Sequence, residues 1–286
     1  MSKILVTGAN GQLGRLVMHR LLQSMSAENF IAGVRDVSKA SFDNKRIEVR
    51  EVDYNRPQTL KKAFKDIKKL LLISSSEVGR RVEQHKAVID AAKEADIGFI
   101  AYTSILHADT SPLLLAIEHR KTEAILESSG IPYSLLRNGW YLENHLMSIP
   151  SALEHGVLMG CAGNGYFSSA PRIDYAEAAA TILINDISKT RKIYELAGDT
   201  AYTLAEFAFE VSAQSSKNIV YQDLPEKSFK EALIKVGLPI EVVDIVVSSD
   251  IGASKGGLFD DSKTLSSVIG RPTALFKNVL SGFLKK

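Results

Sequence analysis

Eight consecutive residues near the N-terminus, Thr7-Gly8-Ala9-Asn10-Gly11-Gln12-Leu13-Gly14, carry the strongest chemical signal in the chain. They follow an apolar run, Ile4–Thr7, and open an amphipathic stretch, Gln12–Gln23, in which Leu13, Leu16, Val17 and Leu21 form one stripe. Glycines at this spacing, between a strand and a helix, suit a pyrophosphate. Gly8 allows the tight turn, Gly11 lets the backbone come close to the anion, and Gly14 lets the helix lie against the strand. The unpaired N–H groups at the helix start then face the negative charge. A ligand-free turn is the alternative, but it has little need for three glycines, each costing entropy on folding.

Two further groups extend this into a dinucleotide site. Arg35 ends a second apolar run, Phe30–Arg35. An acidic residue at that position would hydrogen-bond a ribose, whereas an arginine accommodates a 2′-phosphate, to which the planar guanidinium fork is matched. Asp36 next to it leaves a bare ribose open, and a surface Arg–Asp pair with no ligand is the further alternative. The balance favours NADP(H) over NAD(H). A later run, Leu70-Leu71-Leu72-Ile73, ends in Ser74-Ser75-Ser76-Glu77. Small hydroxyl residues at a strand's carboxyl end admit a ring and ribose close to the backbone. They also suit a turn capping the next helix.

These groups need a scaffold of alternating strands and helices. The runs Ile4–Thr7, Phe30–Arg35, Ile47–Asp53, Lys69–Ile73, Phe99–Thr103 and Tyr133–Arg137 are mostly apolar without alternation, as in strands covered on both faces. Helical patterns fill the gaps: Gln12–Gln23, one beginning at Pro57, Val82–Glu94 and Leu114–Ser128. The expected fold is α/β, a doubly wound parallel sheet with a smaller C-terminal α/β domain on the substrate side.

The expected division is residues 1–150 for the dinucleotide and 151–286 for the second domain, parts of which return to the sheet. After Pro150 come a glycine-rich run, Gly156–Gly165, a helix Asp174–Ile187 and a strand Lys192–Ala197. Helices then begin at Leu204 and Pro225, the latter separated from its successor by Gly237-Leu238-Pro239, and Gly252–Asp261 reads as a long surface loop.

Composition narrows the partners. The chain has 286 residues with 35 basic and 33 acidic side chains, a net charge of +2 that argues against nucleic acid. No apolar window is long enough to span a bilayer, so no stable membrane association is expected. The apolar start, Ile4-Leu5-Val6, is too short for a secretion signal. The single cysteine, Cys161, cannot form an internal disulfide, which fits a reducing compartment, the cytoplasm. The histidines show no metal-ligand spacing, so no metal is expected.

The glycine motif taken with Ser74–Glu77, Tyr102-Thr103-Ser104 and Arg137-Asn138-Gly139-Trp140-Tyr141-Leu142-Glu143-Asn144 resembles the NmrA-like group of atypical short-chain dehydrogenases. Within it the chain is similar to the bacterial zinc-independent NAD(P)H:quinone oxidoreductases. The stretches Leu70–Gly79, Tyr102–Pro112 and Gly252–Asp261 carry that likeness along almost the whole chain. The resemblance implies NADPH held by Gly8, Ala9, Asn10, Gly11, Gln12 and Leu13, by Arg35, and by Ser74, Ser75 and Ser76. It further implies that Asn138, Gly139, Trp140, Tyr141, Leu142 and Glu143 line the nicotinamide side, with Arg172 a weaker candidate.

One departure bears on mechanism. Typical short-chain dehydrogenases use Tyr-x-x-x-Lys, the lysine lowering the tyrosine pKa for proton transfer. Here the segment reads Ile117-Glu118-His119-Arg120-Lys121, with isoleucine in the tyrosine position. Alcohol–ketone chemistry loses its proton carrier. A quinone, whose reduced oxyanion is delocalised and takes its proton from solvent, asks for less. The expectation is direct hydride transfer to a quinone with no catalytic side chain. Other conjugated electrophiles such as dyes, or a non-catalytic NADP-sensing regulator, are the alternatives. His119, Lys121 and Ser104 are each as readily a packed, solvated or capping residue as a participant. Trp140 and Tyr141 suit stacking on a ring or a place in the core.

Overall fold

A computed structural model describes residues 3–42, 44–185 and 191–285. The chain forms strands β1 (Lys3–Val6), β2 (Phe30–Val34), β3 (Glu48–Glu51), β4 (Ile67–Leu72), β5 (Phe99–Ile105), β6 (Tyr133–Asn138), β7 (Val157–Gly160), β8 (Lys192–Leu196) and β9 (Val220–Asp223). Its helices are α1 (Gln12–Ser24), α2 (Pro57–Ala63), α3 (Arg81–Glu94), α4 (Leu114–Ser129), α5 (Leu142–Leu146), α6 (Ile149–His155), α7 (Arg172–Asn185), α8 (Leu204–Ser215), α9 (Glu226–Lys235), α10 (Ile240–Ser254), α11 (Thr264–Ile269) and α12 (Phe276–Leu284).

Among the described residues one sheet has seven strands in the order β3-β2-β1-β4-β5-β6-β8. The pairs β1–β2, β1–β4, β2–β3, β4–β5 and β5–β6 are parallel. This is the doubly wound order, with its reversal between β1 and β4. The buried apolar runs of the sequence explain it: every residue of β2, β5 and β6 is buried. Leu5, Ile31, Leu70, Leu72 and Ile100 pack with Val88, Ile89 and Leu126 in one core cluster. Truncating Leu70 to alanine would cost about 2–5 kcal/mol, the usual range for a core leucine.

The chain falls into two compact units. The first comprises the chain through Ile105, Glu118–Asn138 and Arg172–Tyr194, and the second Leu106–Ile117, Gly139–Pro171 and the chain from Glu195. In the first unit α7 pairs with α1 through an ion pair from Glu177 to Arg20. The expected helix Asp174–Ile187 begins earlier, at Arg172, and is described to Asn185; residues 186 and 187 lie outside the described residues.

The second unit contains a two-stranded parallel sheet, β7 with β9. Neither strand stood out in the sequence, because each has only four residues and a mixed burial pattern. The expected surface loop Gly252–Asp261 is corrected at its start, while residues 255–261 lie outside any helix or strand. Gly252, Ala253 and Ser254 end α10, and Ala253 and Leu258 are buried. A β-carbon on Gly252 would stand 2.5 Å from the Leu113 side chain. The glycine there serves close packing of a helix, and its small neighbours imitate loop composition.

Candidate dinucleotide site

The carboxyl ends of β1 and β4 are adjacent, with Val6 paired to Leu71, so the glycine loop and the serine loop meet at the sheet's switch point. Thr7 stitches them. Its N–H and hydroxyl both reach the Leu71 carbonyl at 3.0 Å, and its Oγ1 accepts from the Ile73 N–H at 3.0 Å. The Tyr54 hydroxyl sits against Thr7 Oγ1 and 2.8 Å from the Ile73 carbonyl. Burial raises the Tyr54 pKa, so the phenol stays neutral beside that junction.

The three glycines play different parts. Gly8 has a φ of +58°, in the left-handed region that favours glycine. A β-carbon on Gly14 would lie 2.2 Å from the Gly8 carbonyl oxygen, so this position holds the helix against the turn. A β-carbon on Gly11 would meet only the Gly8 oxygen, at 3.2 Å. Space in front of Gly11 is open. Gly11 is also the N-cap of α1, without a side-chain cap and with no acidic residue in the first turn. An uncapped helix start behind an open glycine is a cradle for an anion. Gly8, Gly11 and Gln12 are exposed, Asn10 is half-buried, and Ala9 and Leu13 are buried. Arg15 Nε donates to the Asn10 carbonyl at 3.0 Å, and Asn10 Nδ2 donates to the Lys39 carbonyl at 3.1 Å. The glycine loop is thereby tied to the segment after β2.

Arg35 follows β2 with its side chain 64% exposed, and its guanidinium lies 3.2 Å from the Glu77 carboxylate. Asp36 is engaged locally. Its carboxylate accepts from the Ser38 N–H at 3.0 Å and hydroxyl at 2.6 Å, and stands 3.4 Å from the Lys39 ammonium. The Ser38 hydroxyl, more than Lys39, holds its pKa below the usual value. A carboxylate already capping a turn is a poor partner for ribose hydroxyls, which weighs for the phosphate reading of Arg35.

The serine loop is fastened from behind. The Ser74 N–H donates to Thr103 Oγ1 at 2.8 Å, and the Ser75 N–H to His85 Nε2 at 3.0 Å. Arg81 Nε donates to the Ser75 carbonyl at 2.6 Å, and Ser75 Oγ accepts from the Glu77 N–H at 3.1 Å. Glu118, from α4, accepts from the N–H groups of Gly79 and Arg81 at 3.1 Å and so caps α3. Because His85 Nε2 accepts, Nδ1 carries the proton, and it faces Thr122 Oγ1 at 3.0 Å. Burial, then the neighbouring Arg81 charge, holds His85 down to about 3, which keeps it neutral. Ser75 is buried in this frame; Ser74 is half-buried and Ser76 exposed.

Asn138 ends β6, and the chain continues with the Gly139 N–H donating to the Leu196 carbonyl at 2.7 Å and the Leu142 N–H to the Ala170 carbonyl at 3.0 Å. Leu142 is fully buried; Trp140, Tyr141 and Glu143 are half-buried, with Glu143 in the first turn of α5. Arg172 is the first residue of α7.

Two of the possible proton carriers are otherwise engaged. Ser104 Oγ donates to Glu123 Oε1 at 2.5 Å, and Arg137 holds the other carboxylate oxygen at 2.8 Å. His119 is buried with Nδ1 2.7 Å from the Tyr102 hydroxyl, and burial, then Arg81 and His85, pushes its pKa well down. Lys121 is exposed on α4, and Ile117 is 45% exposed. Sequence reasoning assigned no role to His85, Glu118 and Glu123, since their partners lie 10 to 39 residues away.

Comparison with known proteins agrees with this geometry. Residues 8–186 match a family described as NAD(P)H-binding. The chain is 53% identical to quinone oxidoreductase 2 of Escherichia coli over 97% of both chains. It superposes on an NADPH-dependent quinone oxidoreductase of that organism complexed with NADPH with a TM-score of 0.95, at 53% identity, covering 98% of this chain and 99% of that one. The triphenylmethane reductase of Citrobacter sp. is 34% identical, with a TM-score of 0.92 and coverage of 99% of this chain and 100% of that one.

Proposed function

The chain belongs to the NAD(P)H-binding family, and from that premise we propose that it is an NADPH-dependent quinone oxidoreductase. The observation that carries the reading is the pairing of an open, uncapped glycine cradle with Ser104 and His119 side chains that are both committed elsewhere. Likeness to the Escherichia coli NADPH-dependent quinone oxidoreductase supports it.

The residues present fit the cofactor. Gly8, Ala9, Asn10 and Gly11 would shape the turn, with the Ala9 and Gly11 N–H groups bonded to the Gly33 and Gly8 carbonyls, while the N–H groups of Gln12 and Leu13 at the start of α1 would face the pyrophosphate, and Arg35 would read the 2′-phosphate. Ser74, Ser75 and Ser76 would support the ribose, on a loop whose backbone is bonded from behind. Asn138, Gly139, Trp140, Tyr141, Leu142 and Glu143 would form the nicotinamide side, with Arg172 a weaker candidate. When bound, NADPH supplies a hydride from the nicotinamide ring.

The protein's share is orientation. Ile117 offers no phenol, the Ser104 proton is directed at an ion-paired carboxylate, and His119 is neutral and buried against Tyr102. None of these three positions lends a proton, which suits an acceptor whose reduced oxyanion is delocalised and protonated by water. Quinones are acceptors of that kind. Among the described residues no helix is long and apolar enough to cross a membrane. The buried single Cys161 accords with a reducing compartment, the cytoplasm.

Likeness to the triphenylmethane reductase favours a second reading, reduction of triphenylmethane dyes. Steady-state NADPH oxidation with a panel of quinones and triphenylmethane dyes tests both. Quinones should give the higher kcat/KM; a dye-only response would move the assignment, and binding without turnover would identify a sensor.

A further inference from the structure

We propose that Glu77 is a specificity-determining residue, a built-in competitor with the cofactor 2′-phosphate for the Arg35 guanidinium. The proposal rests on the reading of Arg35 as the phosphate-binding group and adds what limits its grip.

The acidic residue that a dinucleotide site usually places at the end of the second strand is replaced here by Arg35. Asp36 has turned to its own Ser38. The carboxylate that faces the guanidinium comes instead from the loop after β4, with Glu77 Oε1 3.2 Å from Arg35 Nη2. This carboxylate is fixed rather than trailing. Gln84, only 2% exposed, donates from Nε2 to Glu77 Oε2 at 2.8 Å, and the Glu77 N–H is held by Ser75 Oγ. Asn55 Nδ2 is 3.5 Å from the same oxygen. These bonds hold Glu77 in place as a second anion approaches.

A second guanidinium completes the arrangement. Arg80 lies 3.6 Å from Glu77 Oε2 and donates to Asn55 Oδ1 at 2.9 Å. Glu77 thus stands between two arginines. When Arg35 turns to a phosphate, Arg80 and Gln84 still satisfy the carboxylate, so the exchange is feasible. It nevertheless proceeds against a fixed negative charge beside an incoming dianion. NADH, without the 2′-phosphate, leaves the Arg35–Glu77 pair undisturbed. Arg35 gives the preference for NADPH, and Glu77 sets its size.

The test is a fluorescence titration of the full chain with NADPH and with NADH, in wild type, Glu77→Gln, Glu77→Ala, Arg35→Ala and Arg35→Ala/Glu77→Gln. Glutamine keeps the shape and an acceptor for Gln84 while removing the charge. Both single changes at Glu77 should raise the NADPH-over-NADH preference, by roughly fivefold for the loss of one partly exposed charge pair. With Arg35 already alanine, Glu77→Gln should move that preference less than about twofold. An unchanged or reduced preference in both Glu77 variants overturns the proposal and would make the residue a support for Arg35. A rise of the same size without Arg35 overturns the competition and leaves only long-range repulsion. A wild type that binds neither dinucleotide defeats the underlying reading, and the proposal with it.

Discussion

The Ser104 hydroxyl donates to the Glu123 carboxylate across 2.5 Å, and that carboxylate is held in turn by Arg137. A serine in this position would have to surrender its partner before it could serve a reacting oxygen. A second candidate, His119, is buried against the Tyr102 hydroxyl. These pairings support the proposed catalysis through cofactor and solvent.

Ser104→Ala and Lys121→Ala should each keep the kcat for quinone reduction within about tenfold of wild type, because loss of a true general acid–base group costs about a hundredfold or more. Steady-state kinetics with NADPH saturating checks this. A hundredfold fall in either variant with cofactor affinity intact would name the missing acid. His119→Ala should act on stability instead, lowering it by about 1–3 kcal/mol as the buried Tyr102 hydroxyl loses its partner. Thermal unfolding reads that change.

Gly11 and Gly14 should fail in different ways. At Gly11 an added β-carbon meets only the Gly8 oxygen, at 3.2 Å, so Gly11→Val should fold yet lose NADPH. At Gly14 the contact is 2.2 Å to that same oxygen, so even Gly14→Ala should lower the melting temperature. Calorimetry with cofactor titration separates the two. NADPH binding by Gly11→Val within a few-fold of wild type would contradict the cradle.

Arg35→Ala should weaken NADPH by about 1.5–3 kcal/mol, the worth of a hydrogen bond to a charged group, and NADH much less. Asp36→Ala should leave the preference between them nearly as it was, since its carboxylate is occupied by Ser38. Equal losses for both cofactors in Arg35→Ala would remove the arginine from the phosphate site.

Stability should depend on pH through groups of opposite sign. Burial holds His85 and His145 down to about 3, so the unfolded chain binds more protons than the folded one between there and the ordinary imidazole value of 6.5. Their contribution is complete above that value and is lost as pH falls below it. Burial raises Asp250 to about 7, against the opposing bond from the Cys161 N–H, so its contribution is present in acid and lost as pH rises through about 7. Asp250→Asn should therefore raise the melting temperature more above neutrality than in mild acid. The same gain at both would contradict a charged, buried carboxylate.

Much of the scaffold was legible because buried parallel strands announce themselves as apolar runs. The runs at Ile4, Phe30, Lys69, Phe99 and Tyr133 all fall on strands of the large sheet. The glycine spacing marked the start of α1 for the same local reason. What fastens the candidate site was not legible. His85 holding Ser75, Glu118 capping α3 and Glu123 holding Ser104 are pairings created by packing, and no spacing rule brings such residues together. Gly252–Ser254 misled in the other direction, since small residues chosen for close helix packing share the composition of a loop.

The most direct test is a single turnover: the full-length protein saturated with NADPH, mixed with a quinone without oxygen, and repeated with NADPH deuterated at the transferring C4 position. The account requires NADPH to be consumed one for one with quinol, at a rate that carries a primary isotope effect and has no steep limb near the pH where a histidine titrates. Tight NADPH binding with no oxidation under any quinone would contradict it and leave a nucleotide sensor in place of an enzyme.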